Sequence, residues 1–244
     1  FFSFIGFDTA ATAGEEAKNP RRDLPRAIIF SLIIVTTLYV VVALAAIGAK
    51  PWEQFEGSGG EAVLSTILQQ VTGATWPSVV LSVGAVISIF SVVLAVMYGQ
   101  TRILFAMGRD GLLPRAFTRV NPKTQTPVVN TFIVTGVIVI LAGLVPLDSL
   151  ANATSIGTLF AFILVNAGVI ILRKTSPDLP RSFKVPLYPI TPILGMLFCA
   201  GLILSLKPET WITFGIWMAI GMVIYFAYGF RKSKLARAQS EGTL

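Results

Sequence analysis

AIIFSLIIVTTLYVVVALAAIG, residues 27–48, contains no charged side chain. A bilayer core needs roughly 20 apolar residues per helix, and this run supplies that length. Working outward, residues 79–100, 127–147, 153–172, 186–206 and 211–230 also read through without a charge. The apolar residues form continuous runs rather than alternating short segments, which argues against a membrane barrel. In hydrocarbon every backbone N–H and C=O must bond within its own segment, so each run is expected to be a helix. The whole chain agrees: of 244 residues, 54% are hydrophobic and 13% charged, with mean hydropathy +0.77. Soluble domains carry about a quarter charged residues. The expected fold class is an all-α polytopic membrane protein with residues 1–244 forming a single transmembrane domain.

The formal net charge of +7 could suggest nucleic acid, but its distribution points to a membrane instead. The segments between runs fall into two alternating sets. One set holds Lys18, Arg21, Arg22 and Arg26, then Arg102, Arg109, Arg115, Arg119 and Lys123. It continues with Arg173, Lys174, Arg181 and Lys184 and ends with Arg231, Lys232, Lys234 and Arg237. The other set has only Lys50 and Lys207. Basic loops stay on the cytoplasmic side, so the expectation is a multi-pass protein of the cytoplasmic (inner) membrane with tail 231–244 inside. No nucleic-acid partner is expected. The basic flanks can attract anionic membrane lipid.

Phe1–Ala13 is too short to span and contains Asp8; residues 1–17 are expected to be the latter part of a membrane helix. In the outer loop after residue 48, Ser58 and Glu61 have capping-box spacing. The helix they would open places Val63, Leu64, Ile67, Leu68 and Val71 on one face, either lying on the membrane or packing against helix ends. Asp110-Gly111 marks a turn in the inner loop 101–126, and Pro114 suits the first turn of a short helix. The loop 173–186 carries Pro177, Pro180 and Pro186 and is expected to be extended. Gly195, Gly201, Gly215 and Gly221 would allow close helix contact.

Candidate chemistry is sparse. Histidine is absent, which excludes serine–histidine, cysteine–histidine and histidine–metal sites within the chain. The single cysteine, Cys199, lies inside a run and reads as packing. No metal or cofactor is expected. Asp8 is the one ionisable acid within a hydrophobic segment, and such a group costs about 2.5–3.5 kcal/mol to insert. Gly6 beside it can adopt angles that break a helix, while Ser3 and Thr9 can bond freed backbone groups. A broken helix offers carbonyls to a cation and N–H groups to an anion. Asp8 reads equally as a functional acid and as an N-cap that holds the break. Ser88 and Ser91 sit mid-run and either face a site or bond their own helix, the second being favoured. Met97, Ser155 and Thr158 are further pocket candidates, with packing as the bland alternative.

Three stretches resemble a known family: Phe1–Ala27 (FFSFIGFDTAATAGEEAKNPRRDLPRA), Tyr98–Pro114 (YGQTRILFAMGRDGLLP) and Ser155–Asn166 (SIGTLFAFILVN), the last followed by Leu172–Pro180. They are similar to amino-acid permeases of the amino acid–polyamine–organocation superfamily, in particular to bacterial relatives of the cationic amino-acid transporters. The resemblance implies twelve helices with two inverted five-helix repeats (5+5). This chain would hold helices 6 to 12: the second repeat plus two C-terminal helices. It implies that helices 1 and 6 are broken at mid-membrane and share the substrate. Carbonyls near Phe2, Ser3 and Ile5 would receive the α-ammonium group, Phe2 would cover the bound amino acid, and Gly6 would lie in the unwound stretch. Asp8 would be gating or proton-linked. Helix 1, which would hold the substrate carboxylate, and helix 5, which carries a coupling lysine in some relatives, belong to an N-terminal half (helices 1–5). By this resemblance the stretch alone would be inactive.

The expected function is secondary transport of amino acids, proton-coupled, by alternating access. An integral-membrane enzyme would need paired acids, histidines or metal ligands at one depth. A channel or structural membrane subunit is the other alternative, but a channel would line a continuous polar path through several spans. The runs here are aliphatic with scattered hydroxyls.

Overall fold

A computed structural model describes residues 1–7, 18–49, 63–123, 126–178, 181 and 183–230. Every regular element among them is helical. After a 3-10 turn at Phe2–Phe4 come α1 (Pro20–Ala49), α2 (Val63–Thr72) and α3 (Trp76–Arg109). A second 3-10 turn, Arg115–Thr118, leads to α4 (Val128–Leu144) and α5 (Leu147–Thr175). The chain continues with α6 (Ile190–Leu204) and α7 (Pro208–Ile224), which runs into a π-helical turn, Tyr225–Gly229.

Four of these helices are long and apolar enough to cross a membrane: Pro20–Ala49, Trp76–Arg109, Leu147–Thr175 and Pro208–Gly229. A 30-residue helix is about 45 Å long, beyond the hydrocarbon thickness. Val128–Leu144 and Ile190–Leu204 are shorter apolar helices. The most apolar stretches of α1 and α3 bury none of their residues within this chain. Large side chains such as Phe30 and Ile87 are about 60% exposed (60% and 62%). That surface belongs against lipid or further protein, as expected of a polytopic membrane protein.

The packed centre is formed by α5, α6 and α7. Ile156, Leu159 and Ile203 are buried there, with Phe160, Ile163, Cys199, Leu206 and Phe214 around them. Phe160 meets Phe214 of α7 edge to face at 5.3 Å. Gly195 of α6 lets the Asn166 side chain of α5 approach, since a Cβ there would lie 3.2 Å from its amide. Gly201, Gly215 and Gly221, expected to allow the same closeness, face open space instead.

The helix limits differ from the apolar runs for local reasons. Helix α3 continues past residue 100 to Arg109 and stops at Asp110 and Gly111 (φ 82°). Arg102 and Arg109 are therefore helical, not loop residues, and the Arg102 guanidinium lies 4.5 Å from the centre of the Tyr98 ring one turn back. The run 127–147 is interrupted at Val145 and Pro146, and α5 opens at Leu147, with Asp148 in its first turn favouring the helix start. The run 186–206 forms a helix only from Ile190, because Pro186 and Pro189 withdraw backbone donors from the preceding turn. In the last run, Pro208 starts the helix early, as proline does at a first helical position.

Helix α2 packs against α3 and α1, burying Ile67 and half-burying Val63 and Leu68, while Leu64 and Val71 stay exposed. The capping pair Ser58 and Glu61 lies outside the described residues. Between α3 and α4, fully buried Asn130 of α4 donates its side-chain amide to the carbonyls of Thr101 (3.3 Å) and Phe117 (3.0 Å). Gly108 permits this packing: a Cβ there would meet Thr118 Cγ2 at 2.9 Å and Phe117 Cβ at 3.2 Å. Arg181 gathers the end of α5, donating to the carbonyls of Pro177 (2.7 Å), Ser176 (2.7 Å) and Leu172 (3.2 Å).

Candidate functional site

Phe1–Phe7 holds the residues with the strongest claim to bind a ligand. Only one tight turn forms: Phe4 N–H donates to Phe1 O (2.9 Å) and Ile5 N–H to Phe2 O (3.1 Å). The backbone then leaves helical angles, extended at Ile5 (φ −65°, ψ 134°) and left-handed at Gly6 (φ 120°). No atom lies within 4 Å of a Cβ built on Gly6, so the glycine answers a backbone need rather than crowding. Asp8 lies outside the described residues.

Two helices hold this segment from different sides. From α1, Tyr39 Oη donates to Ser3 O at 2.6 Å, and its ring meets Phe4 edge-on at 5.0 Å. From α5, the Phe162 ring lies 6.3 Å from Phe1 and 5.6 Å from Phe7. Of the carbonyls singled out in the sequence, those of Phe2 and Ser3 thus each accept one bond already, to Ile5 N–H and Tyr39 Oη. Each oxygen has a second lone pair with which to face a cation. Phe2 is 49% exposed.

The remaining candidates divide by helix. Ser155 and Thr158 are on α5, buried and half-buried, one to two turns before Phe162 on the helix that packs on the Phe2–Phe4 turn. Ser88, Ser91 and Met97 are on α3, whose main packing partners are α2, α4 and the Arg115–Thr118 turn. Ser88 and Ser91 are exposed, and Ser91 Oγ bonds Ile87 O of its own helix at 3.0 Å. Met97 is half-buried. Among the described residues no group of three or more His, Cys, Asp or Glu is placed to hold a metal.

Tyr39 and Phe162 escape a reading of the sequence alone. Tyr39 carries a phenol within an uncharged run, and a phenol away from water usually finds an acceptor. That signal was present in the sequence. Phe162 had none, since one phenylalanine in an apolar helix looks like another.

A concavity of about 420 Å³ opens at the start of α1. Arg21, Arg22 and Arg26 line it together with Pro25, Ile29 and Phe183.

A family model described as "Amino acid permease" matches residues 1–226. The branched-chain amino acid permease BcaP of Bacillus subtilis (strain 168) is 48% identical over 235 residues, covering 96% of this chain and 50% of the relative. The methylthioribose transporter of the same organism is 39% identical, again covering 96% of this chain and 50% of its own length. Cationic amino acid transporter 3, mitochondrial, of Arabidopsis thaliana is 40% identical over 189 residues, or 75% of this chain and 30% of the relative. The chain spans about half the length of the bacterial relatives it matches.

Proposed function

From a chain that belongs to the amino acid permease family, a family of transporters rather than enzymes, we infer that the protein it forms part of carries amino acids across a membrane as a secondary transporter. The observation that carries this reading is the backbone at Ile5 and Gly6, which leaves helical angles directly after a single 3-10 turn. An α-ammonium group suits the Phe2, Ser3 and Ile5 carbonyls, since half-helix ends coordinate cations. Phe2 covers the ligand, and Asp8 supplies a gating or proton-linked acid. The partner half, helices 1–5 of a twelve-helix 5+5 arrangement, completes the carboxylate end of the site.

Branched-chain side chains are the favoured substrates, supported by the 48% identity to BcaP and by the apolar rings around the segment. Proton coupling and alternating access complete the cycle, with the broken segments rocking against the rest. The six runs cross the cytoplasmic membrane and tail 231–244 lies inside, supported by the one-sided placement of the basic residues. The arginine-lined concavity supports contact with anionic lipid, its phosphate meeting Arg21, Arg22 and Arg26 and its acyl chain Ile29 and Phe183.

Uptake of labelled leucine into proteoliposomes carrying the full-length protein tests the proposal. Saturable uptake, accelerated by an inward proton gradient and abolished by Gly6→Trp and by Asp8→Lys, is the expected result. Indifference to both substitutions, or ion conductance far above carrier turnover, would remove the reading.

A further inference from the structure

The rings of Phe1 and Phe7 lie on opposite sides of the Ile5–Gly6 interruption, and both reach one side chain, Phe162 of α5. Phe1 meets it edge-on at 6.3 Å and Phe7 at a tilt at 5.6 Å. One ring therefore spans the break. The segment has little internal bonding with which to fix its own course: a three-residue turn, an extended residue and a glycine at φ 120°. Contacts from outside must set the direction of its carbonyls.

Phe162 is well placed to do so because its own helix is held. One turn on, Asn166 Nδ2 donates to Phe162 O at 2.8 Å, and the Asn166 side chain fits against Gly195 of α6. The flanking residues Phe160 and Ile163 pack into the cluster of Ile156, Leu159 and Ile203. The ring thus joins a segment with little internal bonding to a helix anchored in the buried cluster.

We propose that Phe162 is a positioning residue for substrate: by bracing both sides of the break, it aims the Phe2, Ser3 and Ile5 carbonyls and thereby sets substrate affinity from α5. Phe162 acts through the segment rather than by touching the ammonium group. The proposal rests on the transport reading above. Ring-edge contacts favour discrete aromatic geometries that an aliphatic side chain of similar bulk does not reproduce. Phe162→Leu therefore removes the brace while keeping the space filled.

The test is labelled leucine uptake by the full-length protein in proteoliposomes, measured across substrate concentrations. Phe162→Leu raises KM about five- to tenfold while kcat stays within about twofold, the signature of lost binding rather than lost chemistry or lost fold. Phe162→Tyr, which keeps the ring, returns KM to within about twofold of the unaltered protein. Leu164→Ala, at an exposed position of the same helix, leaves both parameters unchanged. If Phe162→Leu cannot be recovered folded, Phe1→Leu reports on the same contact from its other side and must also raise KM. An unchanged KM in either leucine variant overturns the proposal. So does a fall in kcat matching the fall in kcat/KM that Phe162→Tyr fails to rescue. Normal saturable uptake by the unaltered protein with such a result would leave the transport reading standing. No uptake by the unaltered protein would sink both.

Discussion

Tyr39 donates its phenol to the Ser3 carbonyl across 2.6 Å, linking residues 36 positions apart in sequence. The bond ties the middle of α1 to the segment that leaves helical geometry two residues later, and the ring adds an edge contact with Phe4. A hydroxyl in a low-dielectric setting has few alternative partners, so the bond holds the segment more firmly than the same bond in water.

Tyr39→Phe separates the two contributions, keeping the ring while removing the donor. The expected cost is about 0.5–1.5 kcal/mol, read as a lower melting temperature of the purified full-length protein. Leucine uptake should show a raised KM. An unaltered melting temperature and KM would mean that Ser3 O finds an equivalent donor.

Gly6→Ala tests the backbone rather than the surroundings, since nothing lies within 4 Å of the added methyl group. A non-glycine residue forced into a sparsely populated φ region costs about 1–3 kcal/mol. Uptake should fall sharply. Gly136→Ala, in the interior of α4 and equally open, provides the comparison and should be neutral or slightly stabilising. Equal effects at both positions would contradict a special conformation at Gly6.

Asn130 of α4 holds the Arg115–Thr118 turn to α3. Its amide serves two carbonyls, while its own Oδ1 is buried with no hydrogen-bond partner among the described residues. Asn130→Leu leaves the Thr101 and Phe117 carbonyls without that donor, at a cost of about 1–3 kcal/mol. Gly108→Ala attacks the same contact sterically, through Thr118 and Phe117. Arg115 and Arg119 are already exposed, so both variants should act by loosening the loop, speeding trypsin cleavage at these arginines in membranes opened to the loop side. Protection as strong as in the unaltered protein would show that the loop is held elsewhere.

Arg181 offers a geometric test. Its guanidinium reaches three carbonyls at the end of α5 from two separate nitrogens, a planar spread that the single nitrogen of an ammonium does not reproduce. Arg181→Lys and Arg181→Gln should therefore destabilise the protein similarly in thermal melting, by about 1–2 kcal/mol, although only one removes the charge. Full stability in the lysine variant would assign the role to charge alone.

The helices were legible because bilayer thickness demands uncharged runs of a fixed order of length, and such runs stand out in any sequence. Their ends were not. Hydrophobicity marks where lipid ends, whereas backbone hydrogen bonding continues through Tyr98–Arg109 and Asp148–Asn152 until glycine or proline intervenes. Conversely, apolar residues 186–189 count toward a run although two prolines keep them from joining the helix. The departure from helix at Gly6 could be read from the glycine itself. Its bracing could not, because which ring of an apolar helix faces inward is decided by helices packing from far along the chain. The tendency of Ser91 to bond its own helix was readable, since a hydroxyl in an apolar run has a carbonyl one turn back within reach.

Only Val145 and Pro146 separate α4 from α5. Two residues span at most about 7 Å, and proline removes one of the few torsions left. That joint is a fulcrum: if α5 tilts during a cycle, its displacement relative to α4 is least there and greatest near Thr175. Spin labels placed beside the joint should keep a constant separation, whereas labels at the far ends of the same two helices would register the swing.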